Sequence, residues 1–518
     1  MDYAYSNFYE FLVAQAAKRG RKVALFVDDE KITYRELLKK VDSLAAFLSQ
    51  KGVREEDKVA LFLRNSPEFI MTVFAISKIG AITVPVNTFL KEEELSYILK
   101  DSESTVLVAS KIHEGIVNRS NAPVQCQLLL WEGGIPQSEE KNVAFSEALE
   151  MSSPVPHVAR TLDDTAVIVY TSGTTGKPKG AMLSNRNLLS NIEFSRKLIR
   201  VKPRDRVIVF LPMFHSFTFT VGVIMPLYVG GSMVIIKSLQ PFSNIFKQTL
   251  TKRVTLFFGI PSVYNALAKA KLPWYFMWFN NIRAFISGAA PLQPKTLDAM
   301  AKKFKRAKLL EGYGLSEASP VVCVNTLKKQ KAGSVGTAQY DYQIKIVDEE
   351  MNELPAGEIG DIIIKGDHVM QGYFKRPEAT REAIVNGWLL TGDMGYLDDE
   401  GFLFIVDRKK DLIISKGINI YPREIEEVID MFEGISASAV IGVKDDKSGE
   451  IPAAYIELEE DADHYEETAL KKHMKEHLAN YKIPKQVHVI GELPKNATGK
   501  VLKRILKEQL HANDVMQG

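Results

Sequence analysis

The segment Tyr170-Thr-Ser-Gly-Thr-Thr-Gly-Lys-Pro-Lys-Gly180 gathers three glycines, four Ser/Thr hydroxyls and two lysines into eleven residues, a composition suited to holding phosphate. Glycines let the backbone turn its N–H groups toward an anion, the hydroxyls of Ser172, Thr174 and Thr175 can donate hydrogen bonds, and Lys177 and Lys179 supply positive charge. The spacing is not that of the P-loop, because Gly173 and Gly176 stand closer than its two glycines and Pro178 follows Lys177 where Ser or Thr would be needed. GTPases and P-loop ATPases are therefore disfavoured, and a nucleotide-using enzyme of another kind is expected.

Further chemistry-bearing segments follow: Leu211-Pro-Met-Phe-His215, Ser287-Gly-Ala-Ala-Pro-Leu292, Glu311-Gly-Tyr-Gly-Leu-Ser-Glu317 and Thr391-Gly-Asp393. Beyond them come Asp407-Arg-Lys-Lys-Asp411, Ser415-Lys-Gly417, Tyr421-Pro-Arg-Glu424 and Pro494-Lys-Asn-Ala-Thr-Gly-Lys500. Together with the first loop, in this order and at this spacing, they resemble the signature motifs of the adenylate-forming superfamily, which includes acyl-CoA synthetases, luciferases and peptide-synthetase adenylation domains. The resemblance runs from Tyr170 nearly to the end of the chain, and no single motif carries it alone.

That resemblance implies a two-step reaction: a carboxylate attacks the α-phosphorus of ATP, and a thiol then displaces AMP to give a thioester. Neither step needs a nucleophilic side chain; both need positioned anions and neutralised phosphoryl charge. It implies that Thr171, Ser172, Gly173, Thr174, Thr175, Gly176 and Lys179 hold the phosphates, Thr175 also acting in catalysis. A carboxylate beside a phosphate requires a cation between them, so Glu317 is expected to bind Mg²⁺. Tyr313 and Gly314 would flank the adenine, and Ser316, where the family commonly has threonine, would bond the α-phosphate. Asp393 would accept from the ribose hydroxyls, with Arg408 beside it. Lys500 would serve the first half-reaction as a catalytic residue. His215, one of nine histidines, would lie near the substrate carboxylate. For the second half-reaction, Ser415, Lys416 and Gly417 would face the site and let a pantetheine arm pass, with Lys410 at the hinge. An isolated histidine is more often packed in a core, and an isolated Gly-Asp pair more often a turn; the surrounding motifs favour the functional readings.

The acyl pocket implied by the resemblance comprises Phe214, Phe217, Gly222, Gly259 and Val263, with Gly288 and Ala289 between it and the adenine. This lining has no charge to meet an α-amino group, which disfavours amino acids. A hydrocarbon tail suits it, each buried CH₂ contributing roughly 0.8 kcal/mol. Ala289 stands where glycine is frequent, and its methyl group narrows the expected pocket.

These residues must be positioned by alternating helices and strands. Thr165-Ala-Val-Ile-Val-Tyr170 reads as a buried parallel strand whose end delivers the phosphate loop, the place where α/β proteins bind ligands. Upstream, Thr33-Tyr-Arg-Glu36 is a capping box before an amphipathic run to about Leu48, and Asn65-Ser-Pro opens another helix. Val59–Leu63, Ala81–Val86 and Thr105–Ala109 read as strands, with a helix around Lys91–Lys100. From about Gly333 to Ile405 the pattern changes to short strands, Gln343–Val347, Asp361–Lys365 and Phe402–Val406. The expected fold is α/β: a large N-terminal domain of doubly wound sheets with a small β-barrel-like subdomain, then a small mobile α+β domain. The expected division is 1–407 and 411–518, with a hinge at about 408–410.

At 518 residues the chain exceeds what one core usually supports. Sixty-six basic against 64 acidic residues leave a formal charge of +2, which makes no case for nucleic acid. Cys126 and Cys323 form no metal or redox spacing. The N-terminus lacks a secretory pattern, so a cytoplasmic location is expected. Val207 to Ile236 carries no formal charge, but Pro212, Pro226 and Gly230-Gly231 divide it into strand, helix and strand, so no transmembrane segment is expected. Leu272-Pro-Trp-Tyr-Phe-Met-Trp-Phe279 holds two of four tryptophans and suggests either peripheral membrane contact or aromatic packing against the large domain.

The reading that results is an ATP- and Mg²⁺-dependent ligase joining a medium- or long-chain fatty acid to CoA. Alternatives are an aryl-CoA ligase, an acyl-AMP ligase loading a carrier protein, or an inactive acyl- or nucleotide-binding sensor. The sequence leaves oligomeric state open.

Overall fold

A computed structural model describes residues 3–136, 141–171, 177–238, 242–338, 340–416, 418–445, 448–459, 465–496 and 499–508. Ser172, Gly173, Thr174, Thr175 and Gly176 of the phosphate loop, and Gly417, lie outside the described residues. The chain forms two compact units: Met1–Ala332 with Gly336–Gln343 and Ile364–Leu389, and Gly333–Val335 with Ile344–Ile363 and Leu390–Gly518.

Two eight-stranded sheets build the first unit, each joined by five parallel and two antiparallel strand pairings. One runs in the order Val321–Val324, Lys308–Gly314, Ala284–Ser287, Leu256–Gly259, Arg206–Val209, Ser232–Ile235, Val23–Val27, Glu30–Thr33. The other runs Gly372–Tyr373, Lys179–Ser184, Thr165–Thr171, Ile82–Pro85, Lys58–Phe62, Val106–Ser110, Leu128–Glu132, Asn142–Ala144. Non-consecutive neighbours need crossovers, and helices supply them, as the doubly wound expectation required. The Thr33 capping box is present before helix Tyr34–Gln50, reciprocal with Glu36. The uncharged stretch from Val207 folds as strand, helix and strand, and no helix among the described residues is long and apolar enough to cross a membrane.

Thr165–Thr171 departs from the all-parallel expectation. It pairs parallel with Ile82–Pro85 on one side but antiparallel with Lys179–Ser184 on the other, and only Val167, Ile168 and Val169 are buried. Lys179 thus opens the strand that returns antiparallel to Thr165–Thr171.

In the second unit Leu403–Arg408 runs antiparallel to Trp388–Leu397, which continues the small sheet of Gln343–Val347 and Gly360–Lys365. A further sheet, centred on the paired strands Ile435–Asp445 and Gly449–Leu458, packs against helices Pro422–Asp430 and Glu467–His477. Ile425, Val428 and Ile429 of one helix and Leu470 and Met474 of the other form its core. Asp407 accepts from the Arg423 backbone N–H at 2.8 Å, satisfying a donor in the first turn of the helix at Pro422–Asp430. By compactness the short strands belong with the C-terminal α+β segment.

Candidate active site

In the first unit the carboxyl ends of neighbouring parallel strands supply the residues singled out in the sequence. Arg206–Val209 leads into the loop of Phe214, His215 and Phe217; Leu256–Gly259 ends at Gly259; Ala284–Ser287 leads to Gly288 and Ala289; Lys308–Gly314 ends at Tyr313 and Gly314. That edge of an open α/β sheet is where ligands bind.

Thr171, at the end of its own strand in the second sheet, donates its hydroxyl to Oε1 of Glu317 at 3.1 Å. Tyr373 donates to the same oxygen at 3.1 Å. Burial, then the Glu317 charge, push the Tyr373 phenol well above its ordinary range, so it stays a donor. The Lys179 ammonium lies 5.3 Å from the centre of the Tyr373 ring. A carboxylate, two hydroxyls and a lysine are therefore assembled from four separate segments.

The turn bearing Glu317, Ser316–Ala318, is fixed by its neighbours. Asn191 donates to the carbonyls of Ala318 and Val321 and accepts from the Val321 N–H, and the Met370 N–H donates to the Glu317 carbonyl. Gly314 cannot be replaced, since an added Cβ would stand 2.0 Å from the carbonyl oxygen of Pro320. Ser316 Oγ lies 2.9 Å from Ser216 Oγ, joining the Glu317 turn to the His215 loop.

Asn65 holds that loop from the other sheet: its amide donates to the Leu211 carbonyl at 2.9 Å and accepts from the Met213 N–H at 2.8 Å. In the sequence Asn65 reads as part of a helix opening, but Ser66 is the cap. At His215, Nδ1 accepts from the Phe217 N–H at 3.3 Å, which assigns the proton to Nε2. Burial pushes the imidazole down to about 4, so it is neutral at ordinary pH.

The expected acyl lining is apolar and partly aromatic. Phe217 packs edge-on against Phe258 at 5.9 Å and lies over Gly288, where an added Cβ would meet its ring at 3.6 Å. Phe217 and Val263 both pack on the cluster around Phe257, Ile260 and Tyr264. Phe214 is buried, and Gly222 sits in a wide helical turn, Thr218–Ile224. At Gly259 an added Cβ would come within 2.8 Å of the Tyr264 hydroxyl, which donates to the Ile286 carbonyl. Ala289 occupies the left-handed region at φ 72°.

The second unit carries its own cluster. Asp393 and Arg408 are paired in register, and the Arg408 Nε lies 3.4 Å from Asp393 Oδ1. Burial, then the Arg408 charge, bring the Lys500 ammonium down to about 8, against the opposing pull of Asp393 and Asp411. Asn496 shapes the Lys500 turn, its side chain accepting from the Lys500 N–H at 2.9 Å. Lys410 is also lowered, by burial and then by Arg408. Ser415 is buried at the end of strand Ile413–Ser415, and Lys416, at φ 51°, donates its N–H to the Ser448 carbonyl.

Tyr373, Asn65 and Asn191 were not among the residues singled out in the sequence. Each acts on a segment far away in the chain, and no local pattern marks them.

A family model described as AMP-binding enzyme matches residues 12–374, and one described as AMP-binding enzyme C-terminal domain matches residues 424–500. A long-chain-fatty-acid–CoA ligase of Bacillus subtilis (strain 168) is 34% identical over 529 residues, covering 96% of this chain and 93% of its own. A feruloyl-CoA synthase of Amycolatopsis sp is 34% identical over 475 residues, covering 91% and 92%. The crystal structure of ATP-bound MatB from Rhodopseudomonas palustris superposes with a TM-score of 0.88 at 32% identity, covering 97% of this chain and 98% of that one.

Proposed function

The chain belongs to the adenylate-forming AMP-binding enzymes, and from that premise we propose that it is an AMP-forming acyl-CoA synthetase acting on medium- or long-chain fatty acids. The observation that carries the substrate class is that Phe214, Phe217, Gly222, Gly259 and Val263 bring no charge, while Phe217 and Val263 pack on one apolar cluster and Ser216 ties the Phe217 loop to the Glu317 turn. In the first step a carboxylate oxygen bonds to the α-phosphorus of ATP and the bond to the departing pyrophosphate breaks. In the second the CoA sulfur bonds to the acyl carbon, AMP leaves with its phosphate oxygen, and the thiol proton is released.

In this reading Thr171, the loop residues Ser172 to Gly176, and Lys179 hold the phosphates, with Thr175 acting on the transferring group. Tyr313, Gly314, Ser316, Gly288 and Ala289 frame the nucleotide base and α-phosphate. Asp393 accepts from the ribose, and Lys500, with Arg408 at its side, neutralises charge at the α-phosphate. His215, neutral with its proton on Nε2, can donate to the substrate carboxylate. Ser415, Lys416 and Gly417 serve the CoA step, and the hinge of a 1–407 and 411–518 division falls at Lys410, within the tight turn Lys409–Asp411.

Glu317 suits Mg²⁺. Among the described residues no three His, Cys, Asp or Glu side chains gather into a cage, and this cation is usually held by one or two carboxylates plus substrate phosphate oxygens. Thr171 and Tyr373 both bond Oε1, which orients the carboxylate. When bound, the ion would neutralise phosphate charge.

An aryl acid is the second reading, supported by the Phe217–Phe258 pair and the feruloyl-CoA synthase relative. Carrier-protein loading and an inactive sensor are the remaining alternatives. A cytoplasmic location fits two buried free cysteines. Pyrophosphate release across acetate, octanoate, palmitate, benzoate and coumarate, with and without CoA, tests all of these. A maximum at octanoate or palmitate with CoA-dependent turnover supports the proposal; a maximum at benzoate or coumarate replaces it with the aryl reading. Release indifferent to CoA points to a carrier, and no release to a sensor.

A further inference from the structure

The chain's near-neutral total conceals an uneven distribution. From Arg206 to Leu297 there is no Asp or Glu, whereas nine Lys and Arg occur; Asp298 is then followed by Lys302, Lys303, Lys305, Arg306 and Lys308 before the next acid, Glu311. Within this stretch lies the short helix Trp274–Phe279. Its positions 274, 275, 278 and 279 share one face, and that face is bare: Trp274 and Trp278 are each 71% exposed, Phe279 68% and Tyr275 48%. Of the helix's aromatic rings Phe276 alone turns inward, packing edge-on against Phe246 at 5.2 Å. Aromatic packing therefore explains one ring of five.

The basic residues frame this face. Arg306 donates to the carbonyls of Met277 and Trp278, closing the end of the aromatic helix, and Lys303 donates to those of Leu267 and Ala268 at the end of helix Pro261–Lys269. Trp278 shares a shallow cavity of about 350 Å³ with Lys303, Lys305 and Arg306. Lys271, Lys302 and Lys305 are exposed. Soluble surfaces rarely leave such an apolar cluster uncovered.

We propose that Trp274, Tyr275, Trp278 and Phe279, with Lys271, Lys302 and Lys305 around them, form a docking surface for the anionic face of a lipid bilayer. Tryptophan and tyrosine favour the headgroup level, where the ring is desolvated and its polar atom stays wet. Lysines near an anionic leaflet add attraction that salt screens, and Asp298 is the single acid in the sequence from Arg206 to Lys308. The inference does not depend on which acid the chain activates.

The test is flotation of the full chain with phosphatidylcholine vesicles and with vesicles in which about a third of the lipid is phosphatidylglycerol, at low and high salt. Binding to the anionic vesicles is expected, at least about tenfold tighter than to the neutral ones, weakened by salt, with a blue shift of tryptophan emission. Trp274→Ser/Trp278→Ser and Lys302→Glu/Lys305→Glu should each abolish it while leaving the thermal midpoint unchanged. No binding, or binding that neither double variant alters, overturns the proposal. Dissociation of a dimer by the Trp274→Ser/Trp278→Ser variant would assign the face to a second copy instead, and binding of the parent to an anionic polymer such as heparin but not to vesicles would assign it to a non-lipid polyanion.

Discussion

Asp393 and Arg408 face each other across an antiparallel strand pair, Nε to Oδ1 at 3.4 Å, with the Arg408 side chain 42% exposed and that of Asp393 12%. An ion pair with an exposed arginine and a separation of 3.4 Å contributes only about 0–1 kcal/mol. Stability therefore gives little reason for the pairing, whereas a carboxylate held by an arginine beside it is a good acceptor for a sugar diol. Asp393→Asn should leave the thermal midpoint nearly unchanged and raise KM for ATP by about tenfold or more, consistent with hydrogen bonds to a charged group of about 1.5–3 kcal/mol. The variant should also lose most of any discrimination between ATP and its 2′,3′-dideoxy analogue. Equal discrimination by parent and variant would remove Asp393 from the ribose.

Lys500 gives a pH signature. Its charged form is the useful one, and burial followed by Arg408 lowers it to about 8. kcat/KM for acid-dependent pyrophosphate release, which reports the free enzyme, should fall as pH rises through about 8. Lys500→Met should be slow at all pH and lack that limb. Stability runs the opposite way: between about 8 and the ordinary lysine value the unfolded chain binds more protons, so native stability rises with pH there. Lys500→Met should accordingly be more stable than the parent at pH 7, and the difference should vanish at high pH.

Glu317 and Tyr373 separate charge from orientation. Glu317→Gln keeps an oxygen to accept from Thr171 and Tyr373 but loses the charge a magnesium ion needs, so pyrophosphate release should fall by about 10²–10³, the scale of removing a main electrostatic group. Circular dichroism and thermal midpoint should be unchanged. Tyr373→Phe deletes one donor at 3.1 Å and should shift the Mg²⁺ concentration giving half-maximal rate by roughly tenfold with little loss at saturation. A Tyr373→Phe variant with unaltered Mg²⁺ dependence would leave the tyrosine only a packing role.

Local periodicity made much of the scaffold legible: the Thr33 cap, the strand at Lys58–Phe62 and the helix at Glu92–Ser102 each lie where residue pattern places them. Motif order likewise singles out Thr171 and Glu317, which stand 146 residues apart and are hydrogen-bonded. Long-range polar ties were not legible, since Asn65, Asn191 and Tyr373 bond backbone or side chains far along the chain and leave no local trace. The hairpin at Thr165–Thr171 escaped for another reason: an apolar β-branched run reports burial at the strand centre, not the direction of its neighbours. Exposure of Trp274 and Trp278 was hidden similarly, because aromatic composition alone does not say which face is covered.

Ala289 tests the shape of the acyl pocket. At φ 72° it holds a conformation that disfavours a Cβ by about 1–2 kcal/mol. Ala289→Gly relieves that strain but adds unfolded-chain freedom worth about 0.5–1 kcal/mol, so the net effect on stability should be small and favourable. Its neighbour Gly288 lies under the Phe217 ring, so the Ala289 backbone runs next to the proposed lining. Removing one methyl from an apolar pocket changes discrimination by about 1–3 kcal/mol, so the ratio of kcat/KM for palmitate over octanoate should rise by roughly tenfold. A variant that is stabilised but keeps the parental ratio would show that the methyl strains the backbone without bounding the acyl chain, and would move the length-setting residue to Val263 or Phe214.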